Sequence, residues 1–294
     1  MQKRDSIFNT FLVATLLCLF CSALVSVAAV GLKSIQDTNV TLDRKKNLLE
    51  VSGFTLEEID EAGGIEKLFE ERFQVVLIDL ETGEDALDAA YEAFQEVGKK
   101  FGDGSPESFL ENYDQFWASK SKNELVADPM PKGEDAIRIK YREKYSHVYI
   151  KMSEDGESVE SYIFPIRGYG LWSMLKGYIA VKPDFQTVIG ITFYEQKETP
   201  GLGGEVTNPD WKAKWADKLI YEGEEVGIEV VKGEGAGEYQ VDGLSGATIT
   251  SNGVTNMLDY WLGPSGFQNY IEKQKSGTSS ASVEQNNNAG ATNG

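Results

Sequence analysis

Four hydroxyl side chains, Ser245, Thr248, Thr250 and Ser251, lie within one stretch, Asp242–Gly253, that reads DGLSGATITSNG and carries no charge after its first residue. Those residue types suit the holding of a small anionic group. The following run places Val254, Met257, Leu258, Trp261 and Leu262 on one helical face, with Thr250 or Ser251 expected as the N-cap. Glycines and hydroxyls then surround a helix N-terminus, where unpaired amides and the macrodipole favour phosphate. The stretch is not a Walker loop, for no Lys follows a glycine, and its glycine spacing is not that of a dinucleotide fingerprint. On residues alone, an ordinary capped helix after a tight turn stands beside phosphate binding as a reading.

The rest of the 294-residue chain narrows the chemistry by what it lacks. Both cysteines, Cys18 and Cys21, fall in an apolar N-terminal run, and the single histidine is His147. The body therefore has no thiol for a Cys/His zinc site, an iron–sulfur cluster on thiolates or a Cys-His nucleophile, and no plausible Ser-His-Asp triad. Residues 1–50 carry a net +2, so the −19 of the whole chain leaves −21 for residues 51–294. Such a body repels nucleic acid and anionic lipid, and its 14 Phe and 13 Tyr argue for a folded core under that acidic coat.

The elements that must position the hydroxyl stretch begin with 27 uncharged residues, Ser6–Leu32. At 1.5 Å per residue they span roughly 40 Å, more than the ~30 Å hydrocarbon layer. Ser26-Val27-Ala28 is compatible with signal cleavage, but the apolar core exceeds the h-region of a signal peptide and a retained anchor is expected. Lys3 and Arg4 place the N-terminus inside and the acidic body outside the cytoplasm. LDRKKNLLEVSGF reads as a short helix, TLEEIDEAGGIEKLFEERF continues at helical spacing, and QVVLIDLETGE is a strand ending in a turn. DALDAAYEAFQEVGKKF and PESFLENYDQFWASK are amphipathic helical stretches separated by Gly102–Pro106. HVYIKMSEDGESVESYIFPI is a hairpin about Asp155-Gly156, GYIAVKP and FQTVIGITFYE are two further strands, and IEVVKG and YQVDG are short ones. A helix is expected over Trp211–Leu219, with both tryptophans of that segment, Trp211 and Trp215, in the core. His147 is expected to pack within a strand. The tail 276–294 is too polar to fold.

The motif DGLSGAT matches the D-x-x-[ST]-G-A-T signature of proteins that carry FMN covalently, and the chain resembles the covalent FMN-binding subunit of the sodium-translocating NADH:quinone reductase. The residues that carry the resemblance are GYGLWSMLKGYIAVKPDFQTVIGITFYEQKETPGLGGEVTNPDWKAKW, DGLSGATITSNGV and DYWLGPSGF. It implies an α+β fold: one N-terminal transmembrane helix, then an extracytoplasmic FMN-binding domain with a mostly antiparallel sheet and flanking helices. The expected division is an anchor over 1–33, a helical and strand-containing linking region over 34–145, the FMN-binding domain over 146–275 and the tail over 276–294.

The resemblance further implies FMN joined through its phosphate to Thr248, with Ser245, Gly246 and Ala247 forming the rest of the seat. It places the loop Glu198–Gly204 against the flavin, through Thr199 and Leu202, and Leu171 and Trp172 beside the isoalloxazine face. Attachment then requires a separate flavin transferase, since a threonine hydroxyl without a base is a poor nucleophile. Electrons would pass from a membrane iron–sulfur centre to a second covalent FMN on a neighbouring protein of a bacterial inner-membrane complex. No catalytic side chain and no metal ligand is expected. The FMN-bearing counterpart in the related Rnf complex and a non-redox membrane-anchored assembly module are the alternatives.

Overall fold

The computed structural model describes residues 7–96, 104–111, 113, 125–130 and 135–277. The expected tail beyond Gly277, parts of the amphipathic stretches after Glu96 and the N-terminal Lys3 and Arg4 lie outside the described residues. By internal contacts the chain divides into residues 1–45 and 46–294.

The first unit is helical. Helix α1, Ile7–Val51, includes an apolar span, Phe8–Lys33, long enough to cross a bilayer. The separate helix expected at LDRKKNLLEV is the continuation of α1. No glycine or proline interrupts residues 32–51, so nothing stops propagation until Gly53. There φ is +98° and the Phe54 amide donates to the Leu49 carbonyl at 3.1 Å, a left-handed helix stop.

The second unit is built on a five-stranded antiparallel sheet. Its strands are β1 (Phe73–Asp79), β4 (Tyr145–Met152), β5 (Val159–Tyr169), β6 (Met174–Val181) and β7 (Val188–Glu195), in the order β1-β4-β5-β6-β7. Between β1 and β4 lie helices α4 (Leu87–Glu96) and α5 (Pro106–Glu111) and a two-stranded ribbon of β2 (Ala127–Pro129) and β3 (Tyr141–Glu143). The β4–β5 hairpin turns at Gly156, φ +73°, as Asp155-Gly156 predicts. Alternation along the strands gives the sheet two apolar faces.

One face, with Phe164, Ile166, Ile179 and Phe193, packs on α7 (Thr248–Leu262; α6 is defined below). All five residues of the expected apolar stripe of α7 are buried, and Trp261, at 1% exposure, donates its indole N–H to the Arg167 carbonyl at 2.7 Å. The other face, with Tyr149, Ile163, Tyr178 and Ala180, packs on Leu48, Leu49 and Val51 at the end of α1. It also meets Ile59 of α2 (Leu56–Glu61) and Leu68 and Phe69 of α3 (Ile65–Arg72). His147 is buried between Tyr113 and Tyr149, with its ring nitrogens 3.2 Å from the Leu110 carbonyl and the Tyr149 hydroxyl, a packing position as expected.

After β7 come a 3-10 turn over Gly203–Thr207 and the short helix α6, Pro209–Ala213, capped by Asn208. The helix expected to reach Leu219 therefore ends six residues early. Asp217 adopts φ +62° and its amide donates to the Val188 carbonyl at 2.9 Å, tying the segment to the sheet instead. Trp211 and Trp215 are core residues, as expected. A small hairpin of β8 (Tyr221–Glu222) and β9 (Glu225–Val226) follows. The short strands IEVVKG and YQVDG then form a parallel pair, β10 (Glu229–Val231) and β11 (Gln240–Asp242), that delivers the chain to the hydroxyl stretch.

Candidate functional site

The hydroxyl stretch opens at Asp242, which is pinned in place. Its carboxylate accepts from the Gly235 amide and pairs with Lys214, and its carbonyl accepts from the Trp211 indole at 2.8 Å. The hydrogen bond and charge of Lys214, helped by the Gly235 amide, hold the Asp242 carboxyl below the usual range. The residue thus anchors the turn to the core and has no carboxylate oxygen left idle for proton transfer.

The helix begins earlier than its sequence suggests. Thr248 is the first residue of α7, Ala247 is the N-cap, and no side chain caps the terminus. The expected caps are otherwise engaged. Thr250, 1% exposed, donates its hydroxyl to Glu198 Oε2 at 2.8 Å, and Ser251, 3% exposed, accepts from the Leu244 amide at 3.1 Å. Both are consumed by burial, because a hydroxyl inside a fold must find a partner. Thr248 and Ser245 are left exposed. Of four hydroxyls, two are structural, and Thr248 alone of the exposed pair stands on the helix terminus, where first-turn amides favour an anion.

Three segments surround that terminus. The turn Gly170–Ser173 joins β5 to β6, the loop Glu198–Gly204 follows β7, and Ser245-Gly246-Ala247 enters α7. Gly246, at φ +70°, lies so close to the second loop that a Cβ there would sit 2.9 Å from Leu202 Cδ2. Leu171, Trp172 and Leu202 are 38%, 70% and 42% exposed, and Ile249, beside Thr248, is 54% exposed. Four large apolar side chains thus stand in solvent on the segments that frame one hydroxyl-bearing helix end. Of the expected contacts, Thr199 is exposed with its carbonyl accepting from the Leu202 and Gly204 amides at 3.1 and 3.0 Å. The Leu202 amide is therefore used inside the loop, and the side chain of Leu202 is what it offers a ligand. Ala247 is buried and shapes the seat from beneath.

The residue that sequence reasoning missed is Glu198. Its carboxylate is 6% exposed and accepts the Leu171, Trp172 and Ser173 amides, the Ser173 hydroxyl and the Thr250 hydroxyl. Burial alone would raise its pKa, but the Thr250 hydrogen bond and the three amides outweigh it and hold the carboxyl below the usual range. No periodicity marks such a residue, since its partners lie 25 to 52 positions away. The one available signal is a carboxylate set directly before a proline- and glycine-rich turn.

Comparison with known proteins agrees with this geometry. Residues 170–263 match the family model of an FMN-binding domain. The chain is 38% identical over 284 residues to the NqrC component of the Na(+)-translocating NADH-quinone reductase of Pseudomonas aeruginosa, covering 94% of this chain and 99% of that one. It is 40% identical to the corresponding protein of Vibrio anguillarum, covering 94% and 98%. Among solved structures, Shewanella oneidensis NqrC is similar with a TM-score of 0.65 at 30% identity, over 79% of this chain and 96% of that one.

Proposed function

This chain belongs to the NqrC family of Na(+)-translocating NADH-quinone reductase subunits, and on that premise we propose that it is the membrane-anchored electron carrier that holds FMN by a phosphoester at Thr248. The observation that carries the reading is the exposed Thr248 hydroxyl on a helix terminus that no side chain caps, ringed by exposed Leu171, Trp172, Leu202 and Ile249.

The residues fit such a group at both ends. The first-turn amides of α7 and its dipole suit a phosphodiester, which keeps one negative charge, and Gly246 leaves the approach free of a Cβ. The exposed apolar side chains suit one face of a planar ring, whose burial would remove them from water. FMN, when bound, supplies the redox chemistry. The chain's own part is to tether, orient and partly desolvate it. No side-chain acid or base is needed for that task.

Attachment is assigned to a flavin transferase with FAD as donor. Thr248 Oγ1 forms the new bond to the flavin-side phosphorus, the pyrophosphate bond to AMP breaks, AMP leaves, and the threonine proton passes to a base of the transferase. Partners are the other subunits of the quinone reductase: a membrane iron–sulfur centre as donor and a second covalent FMN as acceptor. The domain is placed on the extracytoplasmic side by Lys3 and Arg4. The membrane span carries no ionisable group besides the thiols of Cys18 and Cys21, so sodium conduction is assigned to other subunits.

The test is denaturing electrophoresis of protein from its native membranes. Yellow-green fluorescence should travel with the wild-type band and vanish in Thr248→Ala, and mass spectrometry of the peptide containing Thr248 should show the added FMN. A wild-type peptide with a bare threonine overturns the reading.

A further inference from the structure

Glu198 joins three segments that the sequence keeps apart. Oε1 accepts the Trp172 amide at 3.0 Å, the Ser173 amide at 2.8 Å and the Ser173 hydroxyl at 2.9 Å. Oε2 accepts the Leu171 amide at 3.1 Å and the Thr250 hydroxyl at 2.8 Å. Five donors on two oxygens exceed the four or so lone-pair directions a carboxylate offers, so the group is saturated and must be ionised, because a protonated oxygen would point a hydrogen at other donors. Space around it is equally committed. A Cβ on Gly170 would lie 2.8 Å from the Glu198 carboxyl carbon, and one on Gly203 would lie 2.6 Å from Thr250 Oγ1 and 2.8 Å from Glu198 Oε2.

Burying a charge is costly unless donors replace its water, and here the donors come from the Leu171–Ser173 turn and the first turn of α7. What this arrangement fixes is unusual for a buried charge. The residues whose amides it holds, Leu171 and Trp172, keep their side chains in solvent, so the carboxylate is not securing a core contact at that end. It holds exposed apolar side chains at a set place relative to Thr248, two residues from the Thr250 hydroxyl that it also holds.

We propose that Glu198 is a positioning residue for the flavin: its carboxylate clamps the Leu171–Ser173 turn and the first turn of α7 to the Glu198–Gly204 loop, and so fixes the apolar platform against the Thr248 tether. This rests on the reading of Thr248 as the attachment site. Loosening the clamp leaves the tether chemically intact and lets the platform move away from the ring.

The experiment has one arm without flavin and one with it, both on the full chain. In the Thr248→Ala background, amide hydrogen exchange is compared with and without Glu198→Gln, Thr250→Val or Ser173→Ala. Glu198→Gln presents an amide to donors, and the peptide covering residues 170–173 should exchange about tenfold faster or more, the loss of a charged hydrogen bond, while β6 and β7 are unchanged. Thr250→Val and Ser173→Ala, each removing one hydroxyl donor, should give smaller increases and serve if Glu198→Gln does not fold.

In the Thr248-containing protein, the variants should retain covalent flavin but show severalfold brighter native-state flavin fluorescence and a shifted midpoint potential. A purely structural residue would lower the melting temperature and leave those two signatures of the folded protein alone. Unchanged exchange at 170–173, or unchanged fluorescence and potential in a folded, flavin-bearing variant, overturns the proposal. A wild type without flavin overturns the Thr248 reading instead, and the exchange arm still decides whether the clamp exists.

Discussion

The two faces of the central sheet are both packed with apolar side chains, yet they treat polarity in opposite ways. On the face that meets the end of α1, the polar groups stay at the rim. Arg72 and Lys151 lie over the Phe54 ring, 5.2 and 4.1 Å from its centre, and both pair with Glu160, while Leu48, Leu49 and Phe69 fill the interior. On the face that meets α7, carboxylate and hydroxyl groups are buried at Glu198, Thr250 and Ser251 while Leu171, Trp172, Leu202 and Ile249 stand in solvent. The first arrangement is what burial energetics alone would build. The second inverts it at one end of one helix, and such an inversion costs stability unless a ligand or partner covers the apolar groups. The difference separates the half of the fold that holds the sheet together from the half that works.

The comparison breaks most completely at Thr248. Thr248→Ala should abolish covalent flavin on denaturing gels while changing unfolding free energy by no more than about 0.5 kcal/mol, because the side chain is exposed. Cores on both faces should respond alike. Trp261→Ala and Phe69→Ala, at 1% and 9% exposure, should each cost about 3–5 kcal/mol in denaturant titration.

Acid should then separate the faces. The Glu198 carboxyl is depressed below its ordinary 4.5, by donors that outweigh burial, so its contribution is complete above that value and is lost as pH falls through the folded pKa. Asp242, depressed from 3.8 chiefly by Lys214, acts in the same direction. Exchange protection over 170–173 should accordingly fail, on acidification below about pH 4.5, before that of the Leu48–Val51 contact. The smallest effect on stability is expected from Trp172→Ala, within about 0.5 kcal/mol for an exposed side chain, with flavin fluorescence rising at unchanged melting temperature.

Much of this half was legible beforehand. The apolar stripe of α7 repeats at helical spacing, and the strands β4 to β7 announce themselves through β-branched runs bounded by turn residues. The exposed positions of Thr248, Leu171, Trp172 and Leu202 leave them accessible to a ligand. Where local reading failed, a distant partner had intervened. Thr250 and Ser251 are good caps by type, but Glu198 and Leu244 claim their hydroxyls first. The helix after Trp211 has the spacing to continue, but Asp217 hydrogen-bonds to the sheet. The short helix before Gly53 merges into α1 because nothing in residues 32–51 breaks it.

Sequence by itself determined the anchor span, the apolar faces of the sheet and helix, and the motif that carries Thr248, since each depends on residues near one another along the chain. Only the tertiary structure decided which hydroxyls are free, where α7 begins, and that Glu198 ties together turn, loop and helix. Those outcomes depend on which donor reaches which acceptor across 25 to 52 residues, and in a buried site every polar group must be satisfied by whatever folding brings within reach.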